Sequence, residues 1–348
     1  MPRTQAELSI WLGGHDEAIL APDQRIIDAH HHMWDRPPEH YGLPELLAEL
    51  DCGHDIRATV FMECTAMYKA DGPEAMRPVG ETEYVNGVAA ASASGLYGPS
   101  RLCAGIVGAT DFRLGAAVRP VLEAHIRAGG GRFRGIRQQA QHDPHIGSLA
   151  RRTPPKGLLL DPDFRAGFAC LAPLDLGFDA YVYFTQLGEV EDLARAFPDT
   201  AIILNHAGAP LGIGPYAAER KSVFDTWSKS LRSLARCPNV SIKIGGLGMA
   251  LFGFRFEEAE HPPSSEMLAA AWRPYVETCI EAFGPERGMF ESNFPVDKQS
   301  CGYAALWNAY KRLTENASAD ERDALFYGTA LKIYRLALSE SATASIRS

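Results

Sequence analysis

A parallel eight-stranded barrel of the (β/α)8 type, a distorted TIM barrel with long active-face loops, is the fold this sequence predicts. Three observations lead there. Short apolar runs recur eight times and are separated by longer segments of helical pattern. No G-x-G-x-x-G follows the first run, which disfavours an open doubly wound sheet. Polar groups suited to chemistry gather at the ends of the runs, where a barrel of this kind carries its active face.

The elements follow in order. "RIIDAH" (25–30) is the first predicted strand, and "RATVFMEC" (57–64), rich in β-branched and aromatic residues, is the second. "RLCAGIVGAT" (101–110), "RFRGIRQ" (132–138), "FDAYVYF" (178–184), "TAIILNH" (200–206), "NVSIKIGG" (239–246) and "RGMFESN" (287–293) complete the eight. Helical patterns lie at 114–130, stopped by glycines, and at 162–177, 189–198, 221–238, 265–284 and 319–338. Residues 1–24 precede the first strand as an N-terminal arm or lid, 25–338 form the barrel, and 339–348 are a C-terminal tail. Polar, proline-containing loops are expected at 68–84 and 138–163, both on the active face.

The strand ends carry the chemistry. In "DAHHHMWD" the side chains alternate, so His30 and His32 share one side and His31 faces the helices. At ~6–7 Å along the strand, His30 and His32 can converge on one ion or substrate. Glu63, Arg137, Gln138, Thr185, Gln186, His206, Lys243, Asn293 and Asp297 stand at or just beyond the other ends. A guanidinium pairs bidentately with carboxylates, which makes Arg137 an anchor for a carboxylated substrate, with Gln138 beside it. Lys243 stands either to polarise a carbonyl or to form a salt bridge inside the barrel. Tyr68 and Arg77 either close over a ligand or belong to a plain surface loop. Trp34 is an aromatic wall beside the histidines or simple packing. Gly245, Gly246 and Gly248 serve tight turns and close backbone approach rather than phosphate binding.

These pieces together resemble the amidohydrolase superfamily, in particular its amidohydrolase-2 group, which includes sugar lactonases, 2-pyrone-4,6-dicarboxylate lactonase and carboxylate decarboxylases. The resemblance rests on "DAHHHMWD", "FRGIRQ", "LARAFPDTAIILNHAGAP", "NVSIKIGGLGM", "FESNFPVDK" and "FYGTALKIYRL", in that order, from about Arg25 to Leu338. It implies a barrel with a mononuclear centre in which His30, His32 and His206 are metal ligands when a metal, zinc above all, is bound. Two positions depart from the pattern. Phe184 or Thr185 stands where relatives tend to carry a histidine, and Asn293 stands where many carry the aspartate that moves the proton. Asn293 is neutral and cannot act as a base, so the candidates to manage protons are Asp297, Glu63 and His206, with Asp297 or Glu63 expected to do so. Three neutral imidazoles leave a metal's charge uncompensated, so weak metal retention, or a metal-free site, is expected. The resemblance implies an ester hydrolase that opens a lactone of a carboxylated or sugar-derived metabolite. The rivals are a nonoxidative decarboxylase on the same barrel and a barrel that has lost catalysis and only binds a ligand.

Composition bounds the partners. With 348 residues and 46% hydrophobic content the chain can bury a substantial core. A net charge of −9 with interspersed signs argues against nucleic acid, and no stretch approaches a membrane span. An anionic or oxygen-rich small molecule is the expected partner, and a homo-oligomer is compatible with the sequence. Seven scattered cysteines, never in a C-x-x-C pair, and a start without a signal-peptide pattern lead to the expectation of a cytoplasmic enzyme with reduced thiols.

Overall fold

The computed structural model describes residues 3–13, 17–36, 39–146 and 153–338; the expected tail at 339–348 lies outside them. Eight parallel strands form one sheet in chain order: β1 (Arg25–His31), β4 (Asp55–Met62), β5 (Arg101–Gly108), β6 (Phe133–Ile136), β7 (Gly177–Ala180), β8 (Ile202–Leu204), β9 (Val240–Ile244) and β10 (Gly288–Phe290). Between the first two, β2 (Trp34–Arg36) and β3 (Glu39–Tyr41) make a small antiparallel hairpin that the sequence reading did not foresee. The chain after β10 returns to β1 through Asn293 N–H donating to His30 O at 2.8 Å and His32 N–H donating to Phe294 O at 2.8 Å. Asp28 reinforces this seam by accepting from Ser292 N (2.9 Å), Ser292 Oγ (2.5 Å) and the Tyr303 hydroxyl (3.0 Å). The result is a (β/α)8 barrel.

Helices α2 (Leu43–Leu50), α3 (Val79–Ala93), α4 (Arg119–Ala128), α5 (Pro162–Phe168), α6 (Leu187–Ala196), α7 (Arg220–Leu234), α8 (Ser265–Phe283) and α9 (Tyr303–Leu313) surround the sheet. Three of them, α2, α3 and α9, lay outside the predicted patterns. The expected loop at 68–84 is shorter than read, because helix α3 starts at Val79. The expected helix at 319–338 is broken into α10 (Ala319–Asp323), a π-turn over Ala324–Gly328 and α11 (Thr329–Ile333). The expected arm contains α1 (Gln5–Leu12), opened by a Thr4/Glu7 capping box.

Two apolar clusters follow from strand alternation. One face of the strands packs on the helices and makes the large outer core. The other face fills the barrel with Ile27, Ala29, Ala58, Val60, Met62, Val107, Ile203 and Met289, plugged by Ala330, Tyr334 and Leu336 from the end of the chain. Each large side chain so buried stabilises the fold by ~1.5–3 kcal/mol. The filled lower half leaves only the C-terminal ends of the strands for polar side chains.

Candidate active site

Alternation alone would place His31, in phase with Ile27 and Ala29, inside the barrel. A β-bulge reverses this. Asp28 pairs with Thr59 but His31 pairs with Phe61, so β1 holds one residue more than β4 over that stretch. His30 and His32 therefore point inward, with their Nε2 atoms 3.2 Å apart. His31 faces outward, its Nε2 2.8 Å from Thr59 Oγ1, and burial pushes its imidazole down to about 4.

His206 enters from the other side of the barrel. It follows β8 in a turn where His206, Ala207 and Ala209 all have left-handed backbone, at φ 53°, 51° and 44°. Non-glycine residues adopt this region at a cost of about 1 kcal/mol or more each. The turn brings the His206 ring to 4.6 Å from the His30 ring, centroid to centroid. A side chain on Gly246, itself at φ 64°, would overlap the His206 ring, so only glycine serves there.

The group that joins these histidines is Glu291, which the sequence reading missed. Its Oε2 lies 2.8 Å from His30 Nδ1 and its Oε1 lies 2.8 Å from His206 Nδ1. A carboxylate only accepts, so the His206 Nδ1, hydrogen-bonded to Glu291 Oε1, carries the proton and its Nε2 keeps a lone pair. A guanidinium only donates, so His30 Nε2, 3.3 Å from the Arg137 NH1 group, keeps a lone pair as well. His32 Nδ1 lies 2.9 Å from Met62 O and is fixed the same way. The Nε2 atoms of His30 and His32 thus face each other as acceptors. At 3.2 Å they match the ~3.3 Å expected for two nitrogens on one tetrahedral zinc at ~2.0–2.1 Å. His30, His206 and Glu291 also offer donor atoms that all lie within 4.8 Å of one another. In donor type and spacing these residues fit a divalent ion, with the ring N–H groups held by acceptors, as the rings of metal-ligating histidines are. Burial, together with the nearby Lys243 and Arg137 cations and the other two imidazoles, pushes His30 well below the usual histidine range. Glu291 places a carboxylate beside two of the three imidazoles, a charge that the expectation drawn from Asn293 did not include.

The remaining expected residues divide. Arg137 donates from Nε to Glu63 Oε1 at 2.8 Å and from its NH2 group to Glu63 O at 2.5 Å, and its NH1 group stands 3.3 Å from His30 Nε2. Lys243 is fully buried below the site, 2.8 Å from Asp179 Oδ1 and 3.5 Å from His30 Nδ1. Asp297 is also fully buried; it accepts from Gly248 N and from Asn293 Nδ2, each at 2.8 Å. Burial pushes its carboxyl well above the usual carboxylate range. Gln138 does not reach the site. Its amide accepts from Phe112 N at 2.8 Å and donates to Asp111 Oδ1 at 3.0 Å, because Gln139 takes the inward position after β6 and donates to Glu63 Oε1 at 3.2 Å. Tyr68 is half-buried and Arg77 exposed, and neither lines the cavity. Of the two residues in the expected histidine place, Phe184 packs on Tyr216 and Thr185 is exposed. Tyr181 is the residue that faces inward after β7, edge-on to His206 at 5.2 Å, and burial pushes its hydroxyl up.

Above these groups opens a cavity of about 910 Å³, whose lining includes His32, Arg137, Gln139, Tyr181, His206 and Asn293. Trp34, Arg36 and Met249 stand on its walls, and Arg3, Thr4, Gln5 and Leu8 of the N-terminal arm close one side. Glu63, Lys243 and Asp297 do not line it. Alternation along "GMFESN" was the signal that could have found Glu291: Met289, Glu291 and Asn293 share one face.

Residues 27–336 match the family model described as Amidohydrolase. The uncharacterised protein y4mH of Sinorhizobium fredii is 36% identical over 336 residues, covering 90% of this chain and 99% of that protein. An L-fucono-1,5-lactonase of Burkholderia multivorans is 29% identical over 238 residues, 67% of this chain and 72% of the lactonase. Among solved structures, an amidohydrolase from Burkholderia multivorans with bound zinc is 26% identical, has a TM-score of 0.66, and matches 90% of this chain and 99% of its own. No helix among the described residues is long and apolar enough to cross a membrane.

Proposed function

Taking as premise that this chain belongs to the amidohydrolase family, we propose that it hydrolyses a lactone, the cyclic ester of a carboxylated or sugar-derived acid. One observation carries the reading: Glu291 holds His30 and His206 together through their Nδ1 atoms, each at 2.8 Å, and so leaves the Nε2 of a cavity-lining His206 free to take a proton. The likeness to an L-fucono-1,5-lactonase supports the same reading.

In this mechanism His206 Nε2 takes a proton from water while the water oxygen attacks the lactone carbonyl carbon. Glu291 stabilises the imidazolium that forms. The carbonyl oxygen becomes an oxyanion and accepts from the Arg137 guanidinium and the Tyr181 hydroxyl, both on the cavity wall. The ring C–O bond then breaks, and the leaving alkoxide takes the proton back from His206, giving an open hydroxy acid. Asp297 and Glu63 hold position rather than touch substrate: Asp297 ties Gly248 to Asn293, and Glu63 orients Arg137. His30, His32 and His206 are the residues that would hold a divalent ion such as zinc, with Glu291 fixing the His30 and His206 rings from their Nδ1 sides; such an ion would supply positive charge that polarises a carbonyl. Two fixed cations, Arg137 and Lys243, already flank His30 at 3.3 and 3.5 Å. The test is a panel of sugar-acid and carboxylated lactones followed by acid release at constant pH, with carboxylated aromatic acids assayed for CO₂ release beside them. Decarboxylation without lactone opening would overturn the proposal.

A further inference from the structure

Among the described residues four cationic side chains line the cavity, and three are committed. Arg3 gives its guanidinium to Glu257 O at 2.6 Å and Ala259 O at 2.8 Å. Arg137 is held by Glu63, and Lys298 lies 2.5 Å from Glu49 Oε1. The fourth is Arg36. Among the described residues it forms no ion pair, and its Nε is buried with no hydrogen-bond partner. It is nonetheless a placed group: its guanidinium carbon lies 4.6 Å from the centre of the Trp34 ring, and that ring stacks on His32 at 6.0 Å and 30°. His32, Trp34 and Arg36 thus form a continuous ladder from the reactive floor to the cavity's outer wall.

We propose that Arg36 anchors a carboxylate that the substrate carries away from its reacting carbonyl, an inference that rests on the lactonase reading. The spacing suits this. The steps of the ladder, 6.0 Å from the His32 ring to the Trp34 ring and 4.6 Å from there to the guanidinium carbon, carry Arg36 away from the reacting histidines, so the anion belongs on a side arm and not on the lactone ring carbon under attack. The chemistry suits it too. A planar guanidinium seated on an indole face keeps its edge donors for a carboxylate, and the aromatic shelf fixes its plane. Arg137, which the sequence marked for this role, has its Nε and NH2 groups taken up by Glu63. Among the described residues the one carboxylate that lines the cavity, Glu39, stands opposite Arg36 in the hairpin and is exposed, where solvent and salt screen it. The substrate class narrows accordingly, from lactones in general to those bearing a remote carboxylate.

The test compares wild type with Arg36→Met, which keeps apolar length over Trp34, and with Arg36→Lys. The substrates are δ-valerolactone and a δ-lactone with a propionate side arm. The ratio of kcat/KM for the carboxylated over the neutral lactone should fall about tenfold in Arg36→Met, as expected for a lost charged hydrogen bond, and recover in part in Arg36→Lys. Calorimetric titration with glutarate, independent of turnover, should show affinity weakened about tenfold in Arg36→Met. An unchanged ratio overturns the proposal, as does glutarate that binds all three proteins alike or none of them. If wild type opens neither lactone while glutarate still separates it from Arg36→Met, the lactonase reading fails and the anion site stands.

Discussion

Two buried ion pairs sit one above the other inside the barrel, and they are chemically alike. Lys243–Asp179 and Arg137–Glu63 each close at 2.8 Å. The lower pair is shut in by the apolar plug: the Tyr334 hydroxyl donates to Asp179 Oδ1 at 2.9 Å, and Asn205 Nδ2 donates to the same oxygen at 2.9 Å. The upper pair has Arg137 on the cavity wall, against His30 and Tyr181. Depth along the strand, not residue type, separates a pair that braces the barrel from one that meets a substrate. In the sequence Arg137 reads as a substrate group and Lys243 as either a substrate group or a salt bridge inside the barrel, because depth is not written there.

The largest expected effect breaks the upper layer. Glu291→Gln removes the acceptor that serves both Nδ1 atoms, and kcat/KM for lactone opening should fall by about a thousandfold. Retained melting behaviour together with activity within tenfold of wild type would remove Glu291 from the mechanism. The same variant should hold less zinc per chain after loading and dialysis, read by emission spectrometry, because it loses the carboxylate that fixes the His30 and His206 rings.

The second prediction pits the two pairs against each other. Lys243→Met leaves Asp179 buried and unpaired and should cost about 3–5 kcal/mol of stability, measured by urea unfolding. Arg137→Met should lower kcat/KM by about 2–3 kcal/mol. Adding Glu63→Gln to Arg137→Met should restore stability but not activity. A double variant that regains turnover would show the upper pair to be a brace like the lower one.

A third, smaller effect concerns chelation. With Arg137 and Lys243 already flanking His30, treatment with a chelator should leave kcat/KM within about twofold. Complete loss that zinc restores would move the polarising charge from the chain to the ion.

The last effect is a pH dependence behind the upper pair. Glu81 accepts from Cys64 N at 3.0 Å and Ala66 N at 2.8 Å, just past Glu63. Burial first, and the Glu63 charge second, push it from 4.5 up to about 8. Across that window the folded chain keeps a proton that the unfolded chain has released. Stability should therefore fall as pH rises from 4.5 to about 8 and level off above it. Glu81→Gln should flatten this part of the urea midpoint profile; a profile unchanged by the substitution would show that Glu81 is ionised in the fold.

Local pattern carried the eight strands, the family motifs, and the histidines at positions 30, 32 and 206, since apolar periodicity and short motifs are properties of neighbouring residues. Their reach had clear limits. The inward turn of His30 and His32 depends on a bulge that only the register of β1 against β4 reveals. Gln138 and Gln139 exchange roles for a similar reason, because the end of β6 decides which of two adjacent amides faces the cavity. Glu291 was legible in principle from alternation with Asn293, but its partners come from β1 and β8, far away in the chain. Asp297 and Lys243 were legible as charged groups, yet their depth and their partners are set by packing. The sequence by itself determined a repeated β/α pattern that has one favourable closure and the residue types gathered at one end of it. Only the tertiary structure decided which of those residues meet, because contacts across a barrel join strands separated by up to hundreds of residues, and a single inserted residue turns a side chain from the core to the site.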